Sequence, residues 1–285
     1  LINVAGIRFS VHPLFVIIML TSIFTGRFLE LIALFAIVFV HEMGHVVAAR
    51  ALGVKVMAVQ MLPFGGMALL EDRGHMGAHS EIIIAAAGPL QNLLLIIITI
   101  IFRWTGVWDS PFAVYFIECN VFIALFNLLP ILPLDGGKIC QALCSMSMPY
   151  HSTLLWCSRI SVVFSCLVVG YALLPWILYG GALQLNILLI GSFLLYSNIM
   201  DHRHIPFRFL RFLMHRDQAF TRHLLRGSLV QPIITEASKP LDTLLRLLRR
   251  EKYHFIYVMN PEGQIVAVVP EQKVITSFLS GTPRS

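Results

Sequence analysis

His41 and His45 lie four residues apart, with Glu42 beside the first, in the run His41-Glu42-Met43-Gly44-His45. This is an H-E-x-x-H pattern. Residues four apart on a helix share a face, so both imidazoles can reach one zinc ion. Glu42 projects beside them, where it can take a proton from water that the metal acidifies to a pKa of about 7. A zinc protease needs a third protein ligand and leaves one position open for water or substrate. Two regions can supply that ligand. Residues 71–81 offer Glu71, Asp72, His75, His79 and Glu81 in a polar stretch read as a loop. Farther on, Asp135 stands in NLLPILPLDGG, residues 127–137. Its Asp-Gly-Gly also reads as a simple turn after a helix.

The surroundings make the short motif more specific. Leu31–Val40, directly before it, is an uninterrupted apolar run. A charged group at mid-membrane costs about 2.5–3.5 kcal/mol, so two histidines and a glutamate there require a polar cavity. The chain as a whole is 57% hydrophobic and 13% charged, against about 25% charged in ordinary soluble domains. That excludes a single water-soluble core. Six apolar segments predict spanning helices, at roughly 11–26, 28–49, 82–102, 113–133, 153–174 and 177–199, each near the 20 or so residues a bilayer needs. No Asp, Glu, Lys or Arg occurs from Ile160 to Met200. Pro175 and Gly180-Gly181 are expected to turn that stretch into two crossings. The first segment lacks a basic n-region and a cleavage site, so it reads as a span and not a signal peptide.

Charge divides the chain. Residues 1–199 hold eight Lys+Arg and eight Asp+Glu; residues 200–285 hold thirteen against seven, the whole of the net +6. The expected domains are therefore 1–200 in the membrane, 201–227 a basic linker and 228–285 a soluble tail. Arg8, Arg50, Lys55, Arg73, Lys138 and Arg159 fall on one predicted side, and only Arg27 and Arg103 on the other. The positive-inside bias puts both termini in the cytoplasm. The second and fourth spans then run toward the cytoplasm, bringing H-E-x-x-H and Asp135 to the same depth. Six arginines from Arg203 to Arg226 read as a membrane-hugging linker; no motif accompanies them that would mark a nucleic-acid site. Five cysteines in apolar stretches show no zinc spacing and read as small buried hydrophobes. The tail predicts a small α+β unit: strands at 230–235, 253–259 and 264–269, helices at 240–252 and 271–279, and a turn at Asn260-Pro261-Glu262-Gly263.

Four motifs in order, HEMGH, LPFGG (62–66), AGPLQN (87–92) and NLLPILPLDGG, resemble the site-2 protease family, over about residues 10–200. Within it the chain looks closest to the sporulation branch. The resemblance implies a polytopic α-helical membrane fold with a small membrane-dipping β hairpin, one Zn2+ per chain and intramembrane proteolysis. It assigns His41, His45 and Asp135 to the metal and Glu42 to general-base catalysis. Asn127 and Pro133 are expected at the substrate, with Asn127 orienting it or the oxyanion. Phe64, Gly65 and Gly66 are expected to offer a hairpin edge to an extended substrate. Gly88 and Asn92 match the family's GxxxN, although Gly88 also reads as a helix-packing residue. The branch implies a sporulation sigma-factor precursor as substrate, inhibitory membrane-protein partners, and the mother-cell membrane around the forespore.

The tail resembles a single CBS motif, half of the pair that senses adenine nucleotides, through which two chains could associate as a homo-oligomer. Pro270 and Lys273 stand where nucleotide-binding members often have Thr and Asp, so a structural or substrate-docking tail is an equal reading. Two other classes remain at this point. A non-catalytic membrane scaffold is disfavoured by the intact H-E-x-x-H. A transporter with a buried zinc site is disfavoured because the polar residues cluster at one depth and trace no path.

Overall fold

A computed structural model of the chain describes residues 2–4, 7–11, 26, 28–62, 65–70, 76–216 and 230–280. The first expected span, 11–26, falls almost wholly outside them, as do Pro63, Phe64, Glu71, Asp72, His75 and residues 217–227 of the expected linker. The chain divides into two compact units, Leu1–Glu71 with His79–Ile139 and Gln184–Ile190, and Asp72–Ala78 with Cys140–Leu183 and Gly191–Ser285.

The first unit contains a four-stranded sheet and the helices of the site. Strands β1 (Ile2–Val4), β2 (Ile7–Val11), β3 (Val56–Leu62) and β4 (Gly65–Leu70) follow that order in the sheet. β2 and β3 are parallel, and β3 and β4 form an antiparallel hairpin with Leu62 opposite Gly65. Helix α1 (Phe28–Ala51) carries Glu30 in its first turn and Arg50 in its last, each matched to the helix dipole. It stops at Gly53, whose φ of 74° turns the chain so that the Val54 N–H reaches back to the Ala49 carbonyl. Helix α2 (Ala78–Trp104) begins where a loop was expected, so His79 and Glu81 lie in its first turns. Helix α3 (Pro111–Asn127) starts with a Ser110 cap and a proline at its first position. It ends six residues before the expected 133, because Pro130 and Pro133 cannot continue it. Asp135 then opens helix α4 (Asp135–Ser147). A Cβ at Gly136 would stand 2.1 Å from the Leu128 carbonyl oxygen, and one at Gly137 2.5 Å from the Ile131 carbonyl carbon. The Asp-Gly-Gly thus serves the packing of backbone on backbone and is not merely a turn.

The second unit is built on helices α5 (Tyr150–Tyr179) and α6 (Leu185–Met214). The turn between them comes at Gly180, φ 60°, while Pro175 is accommodated within α5. A Cβ at Gly191 would meet Val168 and Val169 at 3.0 Å. Asn198 donates to Ser165 Oγ at 3.0 Å, and Ser158 lies 3.1 Å from His202 Nδ1. Small residues and polar pairs of this kind hold helices together where both faces are apolar. Among the described residues α1, α2 and Tyr150–Leu178 of α5 are long and apolar enough to cross a membrane, and α3 is a shorter apolar helix. Leu90, Leu93, Leu94, Ile97, Ile98 and Ile101 of α2 are all exposed, a surface too apolar for water. All five cysteines are free. Contrary to their expected burial, Cys166 is exposed and the other four are half-buried, since an apolar outer surface accepts a thiol as readily as a core does.

The expected linker does not begin at 201, because α6 continues to Met214. Leu213 sits in the core of the tail with Ile233, Leu245, Leu248, Ile256 and Val274. The tail itself has strands β5 (Val230–Glu236), β6 (Tyr253–Met259) and β7 (Ile265–Pro270), a short helix α7 (Leu241–Leu245) and helix α8 (Glu271–Leu279). Only the start of the expected 240–252 helix forms. Arg250 and Glu251 beyond it bind the Met76 carbonyl and the Ala78 N–H, each at 2.6 Å, partners that a continued helix would not present.

A buried ion pair fastens the tail to the end of α6. Arg216 Nε donates to Glu271 Oε1 at 2.6 Å, and its guanidinium also donates to Glu271 Oε2 and the Lys252 carbonyl. His254 Nδ1 lies 3.0 Å from Glu271 Oε2. Burial alone would raise the Glu271 pKa, but His254 and Arg216 outweigh it and hold the carboxyl below its ordinary value of 4.5. A carboxylate depressed on folding contributes stability that is full above the unfolded pKa and is lost as pH falls through the folded one. Acidification from 4.5 down through that lowered folded pKa is therefore expected to loosen this tail. Arg216→Met, which strands the buried carboxylate, is expected to destabilise it by about 3–5 kcal/mol. Hydrogen exchange of the β6 amides measures both effects, and unchanged protection would refute them.

Candidate metal centre

Four residues of the first unit meet at one point. His41 and His45 come from α1 and Asp135 from the first position of α4; all three are buried. Asp135 Oδ2 lies 3.1 Å from His41 Nε2 and 3.1 Å from His45 Nε2, and the two Nε2 atoms are 3.2 Å apart. Three corners of a tetrahedron around a metal held at about 2.0–2.1 Å are expected about 3.3 Å apart. Glu42, also buried, offers a carboxylate oxygen within 4.8 Å of a ligand atom of each histidine. It is beside the triangle, while Asp135 completes it.

The far side of each imidazole explains why both Nε2 atoms face inward. His45 Nδ1 lies 2.7 Å from the Ile84 carbonyl, which can only accept, so Nδ1 carries the proton. His41 Nδ1 lies 2.6 Å from Asn92 Oδ1. In the neutral rings both Nε2 lone pairs then point at each other and at a carboxylate oxygen. A cation reconciles three such acceptors, and a second ring nitrogen bonded to a carbonyl or amide is the usual support of a metal-binding histidine. Asp135 Oδ1 is meanwhile bound by Lys138 Nζ at 3.2 Å, which leaves Oδ2 free for the centre.

Helix α2 supplies this support at a spacing of four. Ile84, Gly88 and Asn92 form one stripe down its face. A Cβ at Gly88 would stand 2.4 Å from His45 Nε2 and 2.7 Å from His41 Nε2, so a side chain here would fill the ligand cradle. A Cβ at Gly44 would be 2.6 Å from the Ala87 carbonyl oxygen, so the H-E-x-x-H glycine lets α1 and α2 cross closely. The donor set and the space at Gly88 both fit a zinc ion.

The other expected site residues are placed less tightly. Asn127 ends α3 half-buried, and its Nδ2 donates to the Ile123 carbonyl at 3.0 Å. Pro133 is exposed in the turn before Asp135. Gly65 and Gly66 open β4, opposite Leu62 and Met61, and Phe64 lies outside the described residues. Of the alternative third ligands, His79 and Glu81 are described and take no part in the triangle. The sequence reading missed Lys138, Asn120 and the Ile84 carbonyl. Asn120, an amide in an apolar helix, carried a usable signal, because polar groups inside membrane helices mark sites. A backbone carbonyl carries none.

Comparison with known proteins finds similar chains over much of the sequence. The model of Peptidase family M50 matches residues 29–110 and 104–168. Stage IV sporulation protein FB of Bacillus subtilis is 28% identical over 274 residues, 96% of this chain and 92% of that protein. A zinc metalloprotease of Methanocaldococcus jannaschii is 30% identical over 202 residues, 67% of this chain and 56% of its own length. Among solved structures, the site-2 protease from Methanocaldococcus jannaschii shares the fold with a TM-score of 0.55 at 24% identity, over 71% of this chain and 94% of that one.

Proposed function

The chain belongs to peptidase family M50, the site-2 type zinc metalloproteases, and on that premise we propose that it cleaves a membrane-associated protein at the His41–His45–Asp135 centre. The observation that carries this reading is the triangle of Nε2, Nε2 and Oδ2 atoms with edges of 3.1–3.2 Å. A zinc ion held there supplies the Lewis acidity that activates water toward a peptide carbonyl. Glu42, beside the triangle and not part of it, receives the proton and returns it to the leaving amine. Asn127 orients the substrate or its developing oxyanion, with Pro133 beside it. Gly65 and Gly66 offer the β4 edge, where an unpaired strand can take up an extended substrate, and Phe64 is assigned to the same substrate.

The finer reading extends to the setting. We place six spans in the membrane with both termini cytoplasmic, supported by the basic-residue asymmetry and by three long apolar helices. The membrane domain is 1–200. The linker of 201–227 shortens to the part beyond Met214, and 228–285 is a CBS-like tail. The likeness to the sporulation protein over nearly the full length of both chains supports a sigma-factor precursor as substrate. It also supports inhibitory membrane-protein partners and the mother-cell membrane around the forespore. A CBS-like half favours association of two copies. Pro270 and Lys273 argue against a nucleotide there, and none is assigned.

Metal analysis of Asp135→Ala beside Glu42→Ala tests the centre. Asp135→Ala is expected to lose both zinc and cleavage, and Glu42→Ala cleavage alone. Zinc retained by Asp135→Ala but lost from Glu42→Ala would exchange the two roles and overturn the assignment.

A further inference from the structure

We propose that Asn120 is a positioning residue of the metal centre, selecting through Asn92 the tautomer in which His41 presents Nε2 as a ligand. The inference rests on the zinc reading above. Asn120 and Asn92 are both fully buried, on α3 and α2. Asn120 Nδ2 donates to the Phe116 carbonyl at 2.8 Å. Asn92 Nδ2 donates to Asn120 Oδ1 at 3.2 Å. Asn92 Oδ1 then faces His41 Nδ1 at 2.6 Å.

The direction of this chain follows from its first member. Side-chain amides can point either way, and which way is decided by their partners. The Phe116 carbonyl can only accept, so the Asn120 amide nitrogen must face it. Asn120 Oδ1 therefore faces Asn92 and demands a donor. That turns the Asn92 oxygen toward His41, and the proton of the neutral ring is held on Nδ1. Were Asn92 reversed, its nitrogen would donate to Nδ1 and the ring proton would move to Nε2, where it blocks coordination. Asn92 has no other partner shown that decides its direction. Asn120 does, and it touches no ligand itself.

Zinc affinity measured in metal buffers, and the absorption spectrum of the cobalt-substituted protein, test the relay without reference to activity. Asn120→Leu keeps the volume and removes the acceptor. It is expected to weaken zinc binding by about 10–100-fold, the effect of losing a supporting group behind a ligand, and to alter the cobalt spectrum. Asn120→Asp in neutral form donates to Phe116 and accepts from Asn92, and is expected to restore both. Wild-type affinity and spectrum in Asn120→Leu, or no recovery in Asn120→Asp, would overturn the relay alone. A wild type that binds neither ion would overturn the protease reading and the relay with it. Should the Leu variant not fold, nitrogen NMR of the metal-free wild type decides. A proton on His41 Nδ1 supports the relay, and one on Nε2 overturns it.

Discussion

Glu42→Gln is expected to keep its zinc and to lose cleavage by about 10²–10⁴-fold, the usual contribution of a positioned general base. The substitution is nearly isosteric, so the packing around His41 and His45 survives. The three atoms proposed as ligands, at 3.1–3.2 Å separations, do not include Glu42, so the zinc is expected to stay. What disappears is the one function an amide cannot perform, accepting a proton from water. At about 1.4 kcal/mol per tenfold change the loss corresponds to about 3–5 kcal/mol of barrier. Zinc content and cleavage of a membrane-tethered reporter, measured on the same preparation, separate the possibilities. Undiminished cleavage would remove Glu42 from the mechanism, and loss of zinc would make it a ligand.

Gly88→Ala is expected to lose the metal altogether, with zinc affinity down about 100-fold or more, the upper end for groups that support ligands. Alanine favours a helix over glycine by about 1 kcal/mol, so a glycine there only for want of contact would gain from the change. Here the new methyl would lie 2.4 Å from His45 Nε2 and 2.7 Å from His41 Nε2. The rings cannot swing aside cheaply. Their Nδ1 atoms are tied to Ile84 and Asn92 on the same helix, so moving a ring away from position 88 breaks the bond at 84 or 92. Gly170 of α5, whose Cβ would meet nothing within 4 Å, is the control: Gly170→Ala should leave zinc unchanged. A Gly88→Ala protein with its full complement of zinc would return Gly88 to simple helix packing.

These two positions divide what could be read from what could not. The spacing of His41 and His45 and the adjacency of Glu42 are local. Helix geometry dictates that they share a face, and an apolar run beside them announces that the face is costly to bury. The membrane class and the basic tail follow from composition in the same way. Helices 28–51, 78–104 and 150–179 lie close to where hydropathy puts them, and β6 and α8 of the tail have the limits expected. The end of α3 is different, because it turns on two prolines whose effect hydropathy does not register.

The rest depends on chains of contact that cross the sequence. Asp135 reaches His41 across 94 positions, and the Ile84 carbonyl reaches His45 across 39. Helix α2 is apolar nearly all round, so periodicity cannot say which of its faces turns to α1, and Gly88 kept two readings. Only the crossing of α1 and α2 at Gly44 turns the stripe of Ile84, Gly88 and Asn92 toward the imidazoles. The H-E-x-x-H motif by itself put two imidazoles and a carboxylate on one helix at a spacing that could hold a metal. Tertiary structure brought Asp135 Oδ2 to the two Nε2 atoms, left space beside them at Gly88, and set a carbonyl or amide oxygen against each Nδ1. Those are properties of distances between helices, and no local pattern contains them.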